Sequence, residues 1–103
     1  MSFALRFSAS ARDDLIRLYQ FLLDRASTAE DLAGAQRALD AIDRAFESLS
    51  RSPFIYRKVG LSPFLRELLI PFGSSGYVAL FEINDASTVT ILAVRHQLED
   101  DYH

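Results

Sequence analysis

The sequence predicts an α+β domain in which a helical hairpin packs on an antiparallel sheet of about four strands, in the order β-α-α-β-β-β. Two observations predict this class. Apolar residues recur at helical spacing through the first half of the chain, and runs rich in β-branched and aromatic residues, separated by turn residues, follow in the second half. A chain of 103 residues has room for one hydrophobic core, so we expect a single domain over residues 1–103.

The first half of the chain is expected to form one short strand and the first helix of the hairpin. The strand covers residues 3–7, where apolar and polar residues alternate loosely. Ser10 is expected to cap a helix over about residues 10–26, because Asp13 and Asp14 follow it and are favourable near the positive end of the helix dipole.

The second helix is expected to begin after Thr28, which can cap it, and to end before Pro53. Its apolar residues step by three and four positions, and they form a seam that is expected to face the first helix and the core. This seam comprises Leu32, Ala35, Leu39, Ile42, Phe46 and Leu49.

The rest of the chain has the pattern of a β-meander. Residues 52–63 contain two prolines and a glycine and are expected to form a connecting loop. Strands are expected over residues 64–70, 77–83 and 88–95, joined by turns rich in Gly, Ser, Asn and Asp. These three strands should pair in sequence and antiparallel.

The composition argues against several kinds of site. With no cysteine and only two histidines, the chain indicates neither a disulfide framework nor a metal site, and we expect no cofactor. There is neither a signal-peptide pattern nor an apolar run near the ~20 residues that a membrane span needs. We therefore expect a cytoplasmic protein with no membrane partner.

The charge distribution favours a protein partner over a nucleic acid. The formal net charge is −3, whereas a protein that grips a phosphate backbone usually has a clear basic excess. An acidic tail at Glu99–Asp101 would repel RNA from the local basic residues, so direct nucleic-acid binding is not expected. These basic residues are Arg51, Arg57, Lys58, Arg66 and Arg95.

Five short motifs follow one another along the chain: Ala11–Leu15 with Tyr19, Leu49–Pro53, Leu65–Glu67, Tyr77 with Phe81, and Ile91–Gln97. Together they resemble the RelE/ParE superfamily of toxins from bacterial toxin–antitoxin modules, and in particular its ParE-like branch. The resemblance implies the fold order given above. It also implies a cognate antitoxin protein as a partner, a possible toxin–antitoxin hetero-oligomer, and one of two activities, inhibition of DNA gyrase or ribosome-dependent cleavage of mRNA.

The candidate residues for binding a target or partner are Arg57, Lys58, Arg66, Arg95, His96 and Tyr102. None is assigned as catalytic unless the chain cleaves RNA. In that case Arg66 and Arg95 would clamp the phosphate, His96 would serve as base or acid, and Tyr102 would serve as acid or stacking platform.

Each candidate also has a structural interpretation. Arg66 could form an ion pair within the sheet, beside Glu67, and His96 could be a hydrogen-bonded structural residue. Tyr102 could be a packing residue. Arg95 is expected on the strand face shared by Ile91 and Ala93, where it would emerge at the end of the sheet, with His96 on the opposite face.

Gyrase inhibition is the favoured activity, because the endonuclease branch is typically strongly basic and this chain offers only Arg57 and Lys58 in the loop before the second strand. The endonuclease remains the first alternative. A degenerate toxin that only binds its antitoxin is another.

Overall fold

The first half of the chain forms a strand and two helices, as the sequence predicts. The structure, a computed structural model, describes residues 2–97. Strand β1 (Ala4–Phe7) leads into helix α1 (Ala9–Arg25), and helix α2 (Ala29–Arg51) follows. Among the described residues, neither helix combines the length and the apolar character needed to cross a membrane.

Both helices begin at a side-chain cap. Thr28 caps α2 as predicted, because its Oγ1 accepts a hydrogen bond from the Asp31 amide at 3.0 Å. The cap of α1 is Ser8, whose Oγ accepts from the Ala11 amide at 3.0 Å. Ser10 lies inside the helix, so the prediction that it caps α1 was wrong. Strand β1 ends at Phe7 as predicted, but the helix is capped two residues earlier than the sequence pattern indicates.

The second half begins with a 3₁₀ turn at Pro53–Ile55, followed by four strands: β2 (Arg57–Lys58), β3 (Leu65–Phe72), β4 (Ser75–Ile83) and β5 (Thr88–His96). The sheet order is β1-β5-β4-β3-β2. The three long strands form the predicted antiparallel meander, and the α+β class is confirmed.

The sheet differs from the predicted one at both edges. It has five strands, because part of the expected loop at residues 52–63 folds back as β2 and pairs antiparallel with β3. At the other edge β1 pairs parallel with β5. In the chain these two strands are separated by the helical hairpin and by the other three strands. The direction of pairing over such a separation is not visible in a local sequence pattern.

The two helices cover one face of the sheet, with α1 against β5 and α2 against β3. The predicted seam of α2 is only partly correct. Leu32 is 51% exposed and Leu39 is half-buried, whereas Ala38 is fully buried. The buried face of α2 comprises Ala35, Ala38, Ile42, Phe46 and Leu49. A small residue at position 38 permits close approach of the helix to the sheet.

A β-bulge changes which residues of β5 share a face. Phe81 pairs with Ile91 but Leu80 pairs with Ala93, so Leu92 is the extra residue. Beyond the bulge the alternation shifts by one. Strict alternation predicted that Arg95 shares a face with Ile91. Because of the bulge, Arg95 lies on the opposite face.

Candidate functional site

The end of β5 that carries Arg95 and His96 lies beyond the reach of strand β1. The pairing of β1 with β5 ends at Phe7, opposite Ile91. From there onward, side chains near the start of α1 replace the missing neighbour strand. The Ser8 hydroxyl donates to the Leu92 carbonyl at 3.1 Å, so one residue both caps the helix and ties it to β5.

Asp14 provides the next contact with this edge. Its carboxylate accepts a hydrogen bond from the buried Val94 amide at 2.9 Å. It also forms an ion pair with Arg95 and another with Arg17, at 3.0 Å from the Arg17 Nη1. One buried carboxylate therefore joins α1 to the backbone and to the side chain of the strand end.

The three charged side chains differ sharply in exposure. The Asp14 side chain is 4% exposed and that of Arg95 is 12% exposed, whereas that of Arg17 is 52% exposed. The Arg95 Nη1 also donates to the Val94 carbonyl at 3.2 Å. The prediction that Arg95 emerges at the end of the sheet was thus wrong for most of its side chain, because the guanidinium is drawn back against α1.

The environment of Asp14 favours its ionised form. Burial raises the pKa of this carboxyl, but the hydrogen bonds from Arg95, Val94 and Arg17 and the positive charge of Arg95 outweigh burial, so the pKa lies below the ordinary value of 3.8. At neutral pH the Asp14 carboxylate is therefore charged.

His96 lies on the opposite face of β5 from Arg95. Its Nε2 is 3.2 Å from the Ser75 hydroxyl, and its ring packs edge-on against Tyr77 with the centroids 5.5 Å apart. Burial raises the pKa of Tyr77 above 10.0, so the phenol stays protonated at neutral pH. This geometry agrees with the structural, hydrogen-bonded interpretation of His96.

Arg66 lies near the start of β3, beside the edge strand β2, and is 7% exposed. Its Nε donates to the Pro63 carbonyl at 2.9 Å, and its Nη1 donates to the carbonyls of Phe54 and Tyr56 at 2.8 and 2.9 Å. The guanidinium also stacks over the Phe54 ring at 5.2 Å. Arg66 therefore holds the segment between α2 and β3 in place.

An ion pair does form in this part of the sheet, but its cation is Arg57 and not Arg66. Glu67, on the face opposite Arg66, pairs with Arg57 of β2. Arg57 and Lys58 are both exposed on this edge strand. Four large apolar side chains are exposed on the same segment of the chain: Phe54, Ile55, Leu61 and Phe64. Exposed apolar side chains next to basic ones are typical of a protein-binding surface.

Within the described residues, the predicted site residues form two separate groups: Arg57, Lys58 and Arg66 lie together on β2 and β3, and Arg95 and His96 lie at the end of β5. Arg66 pairs across the sheet with Phe81, and His96 pairs with Tyr77. The Cα atoms of Arg66 and His96 are thus separated by four positions along the strands and two strand spacings, about 17 Å. Tyr102 lies outside the described residues. Within residues 2–97, no group of His, Asp and Glu side chains is placed to hold a metal ion.

Sequence reasoning missed Asp14, Arg17 and Ser75 as parts of the strand-end site. A signal for Asp14 was available, because it falls between Ala11 and Leu18 at the three- and four-residue spacing of the buried helix face. A charged residue on that face requires a buried partner. No comparable signal pointed to Arg17 or Ser75.

Comparisons with known proteins identify the family. Residues 5–101 match the family described as the ParE toxin of the type II toxin–antitoxin system, parDE. Two curated relatives come from Caulobacter vibrioides. Toxin RelE3 is 37% identical over 86% of this chain and 88% of the relative, and Toxin RelE1 is 34% identical over 96% and 98%.

A solved structure supports the fold independently of close sequence identity. A chain of the chromosomal ParDE TA system from P. aeruginosa superimposes with a TM-score of 0.65 at 17% identity, covering 92% of this chain and 96% of that one. Because the family match spans nearly the whole chain and both curated relatives exceed 30% identity, this chain belongs to the ParE/RelE family of toxins from type II toxin–antitoxin systems.

Proposed function

We propose that this toxin inhibits DNA gyrase through protein contacts and that a cognate antitoxin neutralises it. The observation that carries the choice of gyrase is the engagement of the two arginines that an RNA-cleaving site would need. Arg66 is bonded to three backbone carbonyls, and Arg95 is paired with the buried Asp14.

Phosphate cleavage requires cations and a proton-transfer group within hydrogen-bond reach of one phosphate. The Arg66 guanidinium is bonded to carbonyls of the segment before β3, whereas His96 is level with Ile70, about 17 Å from Arg66 at the Cα atoms. In this arrangement the two side chains do not meet around one phosphate. The net charge of −3 adds a second argument, since it opposes a stable grip on RNA. Binding to a protein target requires neither a converged catalytic site nor a basic net charge.

The antitoxin is proposed to cover the segment that Arg66 holds. This segment presents exposed Phe54, Ile55 and Leu61 beside the basic edge strand β2. Apolar anchors next to an unpaired strand edge suit an extended peptide from a partner. A toxin–antitoxin hetero-oligomer in the cytoplasm, where gyrase acts, follows from the proposal.

The second candidate is a ribosome-dependent mRNA endonuclease. It is favoured by one feature, the presence of an Arg and a His in consecutive positions at the end of β5, although their side chains lie on opposite faces; the His96 Nε2 lies 3.2 Å from the Ser75 hydroxyl. In such an enzyme His96 would act as the general base or acid.

Two assays on the same purified protein separate the candidates. Plasmid supercoiling by gyrase should be blocked by the wild type and by His96→Gln to the same extent, because no proton transfer is required. A ribosome programmed with mRNA should yield no cleavage. Cleavage that falls by about 10²–10⁴-fold in His96→Gln, with supercoiling untouched, would establish the endonuclease instead.

The toxin assignment itself is tested in cells. Induced expression should arrest growth, and co-expression of the antitoxin encoded in the neighbouring reading frame should restore it. A protein that leaves growth unchanged but still binds that antitoxin would be the degenerate toxin.

A further inference from the structure

We infer that an aromatic cavity beside the segment that Arg66 holds receives a large apolar side chain of the antitoxin. The cavity has a volume of about 420 Å³, which lies in the range of known ligand pockets. It is lined by Phe3, Phe54, Phe64, Ile83 and residues 84–86. The inference rests on the proposed function, because it identifies where on that segment the antitoxin binds most tightly.

The wall of the aromatic cavity is built from four separate parts of the chain. Its apolar side chains come from the residue before β1, the 3₁₀ turn, the residue before β3 and the last residue of β4, which are Phe3, Phe54, Phe64 and Ile83. The rings of Phe3 and Phe54 meet edge to face with their centroids 6.5 Å apart. The cavity is therefore formed by the fold and not by a single loop.

Hydrogen bonds hold this wall in place before any partner arrives. The buried Arg66 donates to the Phe54 carbonyl and to the carbonyl of Pro63, the residue before Phe64. The Ile83 amide donates to the Phe64 carbonyl at 2.8 Å. Because the wall is already ordered, less conformational entropy is lost when a side chain enters the cavity.

The apolar surface around the cavity is large enough to be an interface. Phe54 is 52% exposed and Phe64 is 49% exposed, and Ile55 and Leu61, close to them in the chain, are 75% and fully exposed. Together these side chains leave on the order of 500 Å² of apolar surface in water, and a patch of that size often marks an interaction site. It amounts to more than half of one partner's share of a standard protein interface, about 800 Å².

An acidic peptide of the antitoxin fits this surface better than a second copy of the toxin. Lys58 of the edge strand β2 is exposed and forms no ion pair within residues 2–97. A two-fold contact through this segment would bring the Lys58 charges of both copies into one interface, where they repel each other. An extended peptide can instead pair with the free edge of β2, place an acidic residue near Lys58 and insert an apolar side chain into the cavity.

The test measures the affinity of the full-length toxin for the antitoxin encoded in the neighbouring reading frame, by titration calorimetry. Ala86 lines the cavity and is exposed in the turn between β4 and β5, so Ala86→Phe fills the cavity and leaves the core unchanged. It should weaken binding about thirtyfold or more, the loss typical of a central anchor. Ala33→Phe, the same change at an exposed position of α2, should leave the affinity unchanged.

Phe54→Ala removes one wall of the cavity and has a close control. Phe21 of α1 is 50% exposed, and an arginine stacks on its ring as Arg66 stacks on Phe54. Phe54→Ala should weaken binding about thirtyfold, whereas Phe21→Ala should not, with circular dichroism showing both proteins folded. Wild-type affinity in folded Phe54→Ala or Ala86→Phe, or an equal loss in either control, would overturn the inference.

The acidic character of the peptide is tested at Lys58. Lys58→Glu should weaken antitoxin binding about tenfold, the loss of one charge-assisted contact. Arg12→Glu, the same reversal of charge at an exposed position of α1, should not weaken it. Equal effects of the two reversals would overturn the choice of an acidic peptide as the occupant.

Toxicity separates this inference from the proposed function. Ala86→Phe should arrest growth and inhibit gyrase as the wild type does, while co-expression of the antitoxin no longer restores growth. If Ala86→Phe keeps its affinity for the antitoxin and loses toxicity, the cavity contacts the target and the inference fails. A wild type that arrests growth without inhibiting gyrase overturns only the choice of gyrase, because the affinities for the antitoxin are measured independently. A wild type that does not bind the antitoxin overturns both the inference and the proposed placement of the antitoxin.

Discussion

Replacement of Asp14 should destabilise the protein in two separable steps. Asp14→Asn keeps an oxygen that can accept the Val94 hydrogen bond but leaves the buried Arg95 without its counter-charge. Removal of one partner of a buried ion pair costs about 3–5 kcal/mol. Asp14→Ala also leaves the Val94 amide, which is fully buried, without an acceptor, and this adds about 1–3 kcal/mol.

Arg17 provides the internal comparison. Its side chain is half exposed, so solvent screens its ion pair, and Arg17→Ala should cost no more than about 1 kcal/mol. Urea titration at pH 7 followed by circular dichroism gives the three free energies of unfolding. An Asp14→Asn variant as stable as Arg17→Ala would contradict the burial of the pair.

The pH dependence identifies the charge as the cause. The pKa of Asp14 is lowered in the folded protein from the ordinary value of 3.8. Its ionised form therefore contributes stability that is fully present above about pH 4 and is lost as the pH falls through the folded pKa. The difference in stability between wild type and Asp14→Asn should be constant from pH 7 to 5 and shrink below pH 4. A difference that stays the same at pH 3 would refute the reasoning.

Three further predictions concern the helices and the segment before β3, each measured by urea titration unless stated. Ile42→Ala should lower the free energy of unfolding by about 2–5 kcal/mol, because Ile42 is 2% exposed. Leu39→Ala should lower it clearly less, because Leu39 is half-buried. Equal losses of stability would support the seam predicted from the sequence. Ser8→Ala should cost about 1 kcal/mol through loss of the α1 cap, whereas Ser10→Ala should be nearly neutral. Arg66→Gln should make the segment between α2 and β3 more sensitive to limited proteolysis than Lys58→Gln does, because the Arg66 side chain bonds to three of its carbonyls. Identical cleavage rates would contradict that role.

The elements that the sequence predicted well are those set by local periodicity. Both helices and all three long strands follow from the spacing of apolar residues, and Thr28 follows from the chemistry of helix caps. The errors arise where contacts with a distant part of the chain determine the local structure. Ser8 is selected as a cap partly because Leu92 offers a carbonyl. The displacement of Leu39 by Ala38 depends on how closely α2 approaches the sheet. The bulge at Leu92 places Arg95 on the face opposite the predicted one, and no residue in this part of the sequence indicates a bulge.

The motifs that carried the family resemblance are also the ones that the fold uses internally. Asp14, in the motif at the start of α1, joins that helix to the end of β5, and Arg66, in the motif at the start of β3, holds the preceding segment by its carbonyls. Residues with such duties are constrained by the fold whichever target a member of the family attacks. The choice of target is then expected to depend on exposed side chains that contribute little to the fold, of which Arg17 and Lys58 are two among the described residues. It follows that exchanging Arg17 or Lys58 should change what the toxin binds, whereas exchanging Asp14 or Arg66 should change whether the binding surface is formed.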